Sequence, residues 1–544
     1  MKKLLLLFHT IRFLKPIQFF WRLRLKLNQL FSFSVEIKEP VNCRDVKLIS
    51  TVVKYSSFLD GQFCFLNESR SADLPIDWNN QQASKLWLYN LHYFDYLNQE
   101  DIDEPFALDL MIDWVNHNPV GTGNGWEPYT LSLRIVNWVK FLAGANVSQD
   151  QFNLLSQSLF LQARFLFKHL EYHLLGNHLF KNGVALVYAG AYFKGEEAKR
   201  WLQKGQYIIV QQAKEQVLAD GGHFERSPMY HVLILEDILD CINLNLSVPC
   251  FSISDTDFMQ KEAAKMLGFL ADILHQDGDI PFFNDCALQI APSPQSIFKY
   301  ASNLQLGFSI STGNECVEKP DFGLLILQNQ KGKMIFDVGA IGPDYLPGHA
   351  HCDSLSYELS LAGKRCIVNS GTFQYAGNER NRFRATEAHN TVKIDGVEQH
   401  EIWSTFRVAR RGYPFDVFVS NNDDLIECAA SLSGFLPDHP IHKRRVSWQK
   451  NQFIIKDEID ANGEHKAQSF IHLHPDVELL NVSVDSVTCK LENSVFSIHV
   501  LADEVINIEK YYFSPEFGIK IAGSVLVIGR SASAPFSFGY KVCF

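Results

Sequence analysis

The chain has 544 residues, a formal net charge of −11, a 46% hydrophobic share and a 20% charged share. This length exceeds what one hydrophobic core usually serves, so two or more domains are expected, and the acidic balance argues against general nucleic-acid binding while leaving room for a local basic cleft. Eleven cysteines without a CxxC pair make no disulfide framework; they read as buried or free thiols, which favours a reducing compartment.

The chain begins MKKLLLLFHTIRFLKPIQFFWRLRLKL. Two lysines and LLLLF imitate a secretory signal, but the apolar run is short and no small-residue cleavage site follows. Arg12, Lys15, Arg22, Arg24 and Lys26 interleave with aromatic and aliphatic residues, giving a basic amphipathic segment. Such a segment can lie on a membrane surface or pack on the next domain, and packing is the expectation. No run is long enough to span a bilayer.

Residues 85–315 read as a helical domain behind a lead-in of residues 1–84. KLWLYNLHYFDY (85–96) is an aromatic opening helix or turn. Leu131, Ile135, Trp138 and Leu142 share one helical face. Residues 152–175, 196–218, 231–246 and 258–275 repeat that period. Between helices lie Gly-rich, aromatic and polar loops: GTGNGWEPYT (121–130), LLGNHLFKNG (174–183), DGGHFERSPMYH (220–231) and QDGDIPFFNDC (276–286). Antiparallel helix pairs would gather such loops at one end into a groove.

From about Pro320 the period changes from 3.6 to 2, and residues 316–544 read as a β domain. FGLLILQNQKGKMIFDVG is strand, turn, strand. Further strands follow in RVARRG, FDVFVS, LIECAASLSG, RRVSWQKNQFIIKDEI and SFIHLH, with turns at Asn421–Asp424, Asn451 and Ala461–Gly463 at sandwich-like intervals. In between lies GHAHCDSLSYELSLAGKRCIVNSGTFQYAGNERNRFRATEAHNTVKI (348–394). His349 and His351 stand two apart, so an extended backbone would aim both imidazoles the same way. Strands are expected at 355–361 and 366–369 around a turn at 362–365, and His389 arrives just before a third. Three histidines at the mouths of neighbouring strands suit a metal, proton transfer, or hydrogen bonding at a sheet rim.

Asn177 fits a helix cap or a neutral amide that donates to a carboxylate. Tyr230 fits core packing or a phenol acting as acid or base. Glu127, Glu225, Asp279 and Asp285 lie in the same class of loops, where two carboxylates could run glycoside hydrolysis. Arg380, Arg382 and Arg384 precede His389; a charge run of this kind coats a solvated face or binds carboxylate and sulfate.

The order GNH, SPMYH, GHAHCD, EAHNTV, across a helical half and a β half, resembles the heparinase II/III family of polysaccharide lyases, in particular its heparinase III-like branch. The resemblance implies an incomplete α/α toroid followed by an antiparallel β-sandwich, with a substrate groove between them. It implies β-elimination on a uronic-acid-containing polysaccharide, heparan sulfate-like or of a bacterial surface. By motif match, Asn177 would neutralise the uronate carboxylate. Tyr230 would be the catalytic acid, and also the base for one C5 epimer. His349 would be the base for the other epimer or an assistant in neutralisation. Glu225, Arg382 and Arg384 are assigned to substrate binding. His351 and His389 would hold a structural zinc, with Asn369 where the family has an aspartate. A neutral amide is a poor substitute for a carboxylate on zinc, so weak or partial zinc is expected, and no organic cofactor. The family implies a periplasmic or cell-envelope setting, with the cytoplasm as the alternative because the opening segment carries no clear signal. The alternatives are a glycoside hydrolase and a glycan-binding protein with a degenerate site.

Overall fold

The computed structural model describes residues 2–28, 33, 35–37, 41–311, 315–422, 425–435 and 440–544. Two helices open the chain, α1 (Lys2–Ile11) and α2 (Pro16–Asn28). A three-stranded antiparallel sheet of residues 58–71 follows. The helical body comprises α3 (Lys85–Tyr93), α4 (Glu104–His117), α5 (Pro128–Leu142), α6 (Gln149–Lys168), α7 (Gly176–Tyr192), α8 (Glu196–Gln216), α9 (Pro228–Ser247), α10 (Ile253–Ile273) and α11 (Pro294–Asn303). A last helix, α12 (Asn378–Arg384), lies inside the β half.

Local chemistry explains several starts. Ser84, Ser148, Ser227, Ser252 and Ser293 each accept a backbone N–H of the first turn, and Ser148 with Gln151 forms a full capping box. Pro at the first turn of α9 and α11 removes a donor that would be unpaired anyway. The predicted face of α5 is buried: Leu131, Ile135 and Trp138 are fully enclosed.

Two boundaries differ from the periodicity. The helix expected over 152–175 stops at Lys168, and residues 176–183, expected as loop, are the first half of α7. Gly176 and Asn177 read as a break, but Leu179, Phe180 and Val184 are buried and packing overrides the weak local preference. In the β half, the turn expected over 362–365 is tighter. Ala362 and Gly363 both take positive φ, 48° and 86°, as a two-residue hairpin turn requires, so strand Lys364–Ile367 begins earlier than expected.

Every strand pair in the β half's sheets is antiparallel. An eight-stranded sheet runs in the order 414–422, 425–432, 441–449, 452–460, 536–543, 494–500, 486–491, 478–482. A five-stranded sheet (residues 316–367) and a four-stranded one (505–513, 521–533, 464–472, 392–394) face it. The sandwich core lies between them, where Ile426, Val446, Phe453 and Ile455 meet Leu325, Met334, Leu359, Ile471 and Leu526. Asp423 and Asp424, in the turn expected at 421–424, lie outside the described residues. A buried ion pair interrupts this core: Arg444, fully buried, pairs with Asp457 and donates to the carbonyls of Leu355 and Asn390. It thereby ties the two histidine-bearing segments to the sandwich. The helical half and the β half meet directly through His275 with Glu358 (2.9 Å) and Lys319 with Asp272 (2.7 Å).

Candidate active site

Five separate segments, around residues 177, 225–230, 284–285, 349–355 and 375–384, converge where the halves meet. Asn177 stands in the first turn of α7, directly after Leu175 and Gly176, whose φ angles are 68° and 57°. A Cβ on Gly176 would lie 2.2 Å from the Leu346 side chain and 2.6 Å from the Glu225 carboxylate, so any larger residue at this positive φ would have to displace both side chains. Arg226 (φ 56°), Asn284 (φ 55°) and Leu355 (φ 59°) turn the other segments. Left-handed non-glycine residues of this kind cost roughly 1–3 kcal/mol each and collect at functional sites.

Asp285 is the hub. Its buried carboxylate accepts from His349 Nδ1 (2.9 Å), His351 Nε2 (2.9 Å) and both terminal nitrogens of Arg380. Burial alone would raise this carboxyl, but the Arg380 charge and the hydrogen bonds from His349, His351 and Arg380 hold it well below the usual carboxylate range. An ionised carboxylate only accepts, so His349 Nδ1 and His351 Nε2 each carry a proton toward it. The alternation argument therefore holds in its outcome: both imidazoles aim at one partner, although residues 349–351 are irregular backbone rather than strand.

His349 Nε2, the other ring nitrogen, lies 3.4 Å from Glu225. Its ring packs on that of Tyr230, with centroids 3.9 Å apart. Tyr230 sits in the first turn of α9, and its hydroxyl meets that of Tyr375 at 3.2 Å. Burial, with Tyr375 and Tyr129 close by, pushes the Tyr230 phenol well above its ordinary range, so it is protonated at neutral pH. Asn177 donates from its backbone and its amide to Glu225 (2.9–3.0 Å), and its Oδ1 is buried without a partner. Asn177, Glu225, His349 and Tyr230 thus form one chain of contacts.

The remaining assignments sort by helix geometry. Arg380 and Arg384 are four apart on α12, share its buried face, and are enclosed; Arg382 is exposed and lies over the Tyr512 ring. Arg384, assigned to substrate binding, is enclosed: its Nε and Nη1 donate to the carbonyls of Ala350, Ser404 and Thr405 in the β half, and its Nη2 is buried without a partner. Glu225 is also buried, behind Asn177 rather than on an open wall. Sequence reading left out Tyr375, Phe406, whose ring meets that of Tyr375 edge-on at 5.4 Å, and the hub role of Asp285 and Arg380. Reading 378–384 as a helix would have separated Arg380 from Arg382; nothing local marks Tyr375.

The zinc expectation meets a mixed donor set. His351 Nδ1 and both ring nitrogens of His389 are buried without hydrogen-bond partners, and the two ring centroids are 5.2 Å apart, near enough to share an ion with Zn–N bonds of about 2.0–2.1 Å. Burial pulls His351 down to about 4 against the opposing Asp285, and His389 well below its ordinary value, so both are neutral and offer lone pairs. The fully enclosed Asn369 accepts from the Asn390 N–H (3.2 Å) and reaches Ser356 at 3.4 Å, adding no anion. Among the described residues no group of three or more His, Cys, Asp or Glu is arranged to hold a metal. Two donors fit and the third does not.

Known proteins share this architecture. The family model "Heparinase II/III N-terminus" matches residues 23–304, and "Heparinase II/III-like, C-terminal" matches residues 312–535. A heparin-sulfate lyase of Pedobacter heparinus is 24% identical over 331 residues, which are 54% of this chain and 49% of that protein. One of Bacteroides stercoris is 24% identical over 468 residues, 75% of this chain and 66% of that protein. The chain therefore spans between about half and two thirds of these relatives' length. The solved structure of heparinase III superposes with a TM-score of 0.73 at 19% identity, covering 93% of this chain and 87% of its own.

Proposed function

The chain belongs to the heparinase II/III family, and from that premise we propose that it is a polysaccharide lyase that cleaves a uronic-acid-containing, glycosaminoglycan-like polymer by β-elimination. The observation that carries this reading is the contact chain itself: Asn177, Tyr230 and His349, distant in sequence, meet around Glu225 with a 3.9 Å ring contact at its end. Heparin-sulfate lyases are among the relatives, which supports a uronate substrate.

A uronate C5 proton is weakly acidic, and its removal builds negative charge on the adjacent carboxylate. In the proposed mechanism the Asn177 Nδ2, which donates to Glu225 in the structure, turns an N–H from it to that carboxylate. His349, its Nδ1 proton held by Asp285, takes the C5 proton at Nε2 for one epimer. Tyr230 arrives protonated and delivers its proton to the departing O4; for the other epimer the phenol, once ionised, serves as base first. The C5–H and C4–O bonds break, a C4–C5 double bond forms, and the leaving chain gains a hydroxyl. Hydrolysis is less well supported: Asp285 is ionised and enclosed, and the Glu225 carboxylate is occupied by the Asn177 amide. Incubation with a panel of uronate polymers, read by the ultraviolet absorbance of the unsaturated uronate, tests the proposal. Cleavage with rising absorbance is expected; cleavage without it would mean hydrolysis, and binding alone a degenerate site.

We also propose that His351 and His389 bind zinc weakly, pinning the segment that carries His349; no step of the reaction passes through the metal. Asn369→Asp should raise bound zinc, measured by elemental analysis, and raise Tm with it, because a ligand at 100 times its Kd stabilises the native state by about 2.7 kcal/mol. Full zinc in the wild type, or none in either protein, would refute the weak-site reading.

A further inference from the structure

The first two helices present their apolar side to solvent. On α1 the exposed residues Leu4, Leu7, Phe8 and Ile11 fall at i, i+3, i+4 and i+7, one continuous stripe. On α2, Ile17, Phe19, Phe20, Leu23 and Leu27 are exposed, with Phe20 at 59% and Leu23 at 61%. The inward side is used. Trp403 donates to Thr10 (2.9 Å), Arg411 lies over the Phe13 ring (3.9 Å), Lys15 pairs with Glu215 and lies over Tyr345, and Trp21 stacks on Tyr172 (4.7 Å). The two helices are therefore bolted to both halves, and their outer apolar residues are not a packing face awaiting their own domain.

Charge is segregated to match. Residues 1–35 carry seven Lys or Arg and no Asp or Glu, so the net charge of −11 is +7 in this arm and −18 elsewhere. Lys3, Arg12, Arg22, Arg24 and Lys26 are exposed beside the apolar stripe. No helix among the described residues is long and apolar enough to cross a membrane. An amphipathic basic helix with Leu and Phe on its apolar face is the arrangement that lies in a lipid interface, with each basic residue adding attraction to anionic headgroups.

We propose that helices α1 and α2 dock this protein peripherally on an anionic lipid surface. Leu4, Phe8, Phe20 and Leu23 enter the headgroup–acyl boundary, and the exposed basic residues face the lipid phosphates. Charge complementarity selects this occupant over a neutral apolar partner. The start of α2 and the residue before it touch the site's approaches: Gln18 donates to Leu174 O, three residues before Asn177, and Lys15 covers Tyr345, four before His349. Docking would hold one end of the groove beside the lipid.

The test uses the full chain and co-sedimentation with vesicles of phosphatidylcholine alone or mixed with phosphatidylglycerol. Wild type should bind the anionic vesicles tighter by about tenfold or more, with binding falling as salt rises. The triple substitution Phe8→Glu, Phe20→Glu, Leu23→Glu changes only exposed side chains and should lose vesicle binding with an unchanged melting curve. Lys3→Glu with Arg12→Glu leaves the apolar stripe intact and should lose the preference for anionic lipid, which keeps the proposal testable should the triple variant fold poorly. Equal sedimentation with and without vesicles would overturn the proposal. So would a wild-type dimer in light scattering that the triple variant splits, since the occupant would then be a second copy.

Discussion

Tyr230→Phe is expected to lower kcat/KM on the cleaved uronate polymer by about 10²–10⁴-fold, the contribution of one positioned acid or base. The substitution removes one hydroxyl whose recorded partner is the Tyr375 hydroxyl, and leaves the ring stacked on His349. Fold, melting temperature and polymer binding should therefore stay near wild type, because the buried aromatic surface is unchanged. This separation makes the experiment informative: a structural tyrosine would lose stability and keep its rate, whereas a proton donor loses rate and keeps stability. Turnover within a few-fold of wild type would remove Tyr230 from the proposed chemistry, and Tyr375, sharing its hydrogen bond, would be the next phenol to replace.

The second large effect is expected at Asp285, a positioning residue that reaches the reaction through His349. Asp285→Asn keeps the shape and removes the charge. Arg380 then loses its only carboxylate partner among the described residues while remaining buried, and breaking such a pair costs roughly 3–5 kcal/mol. Urea unfolding should register that loss. The linkage has a sign. A carboxyl held well below its usual range stabilises the fold above that range, and the contribution drains away as pH falls through the lowered value. Wild type should thus lose stability on acidification in a way that the Asp285→Asn protein does not share. A second readout separates positioning from mere stability: an amide can donate as well as accept, so the His349 tautomer is no longer enforced, and the pH profile of kcat/KM should change shape as well as height. A variant that unfolds more easily but retains the wild-type pH profile at low temperature would show that Asp285 only holds the halves together.

Much of the architecture was legible because periodicity is a local property. The change from a 3.6 to a 2.0 repeat marked the passage from helices to sheets, and the spacing Leu131, Ile135, Trp138, Leu142 marked the buried face of α5. Misjudged boundaries arose where a local signal was outvoted. Gly176 and Asn177 look like a break, yet a helix starts there because Leu179, Phe180 and Val184 have a core to enter. The family motifs also lay open to reading, since GNH, SPMYH, GHAHCD and EAHNTV are contiguous words.

What joins those words is not local. By itself the sequence determined the order of helical and β halves, the faces that bury, the motif residues and the charge split that leaves the first 35 residues basic. Only the tertiary structure decided that Asp285 gathers His349, His351 and Arg380 from 64, 66 and 95 residues away, that Glu225 backs Asn177, and that Arg384 Nε and Nη1 meet backbone carbonyls. The physical reason is one of range. Helix and strand patterns follow from neighbours within a few residues, whereas the partner of a buried charge is whichever group the packing of two halves brings to it. That partner is enforced by desolvation, which no spacing rule along the chain can register.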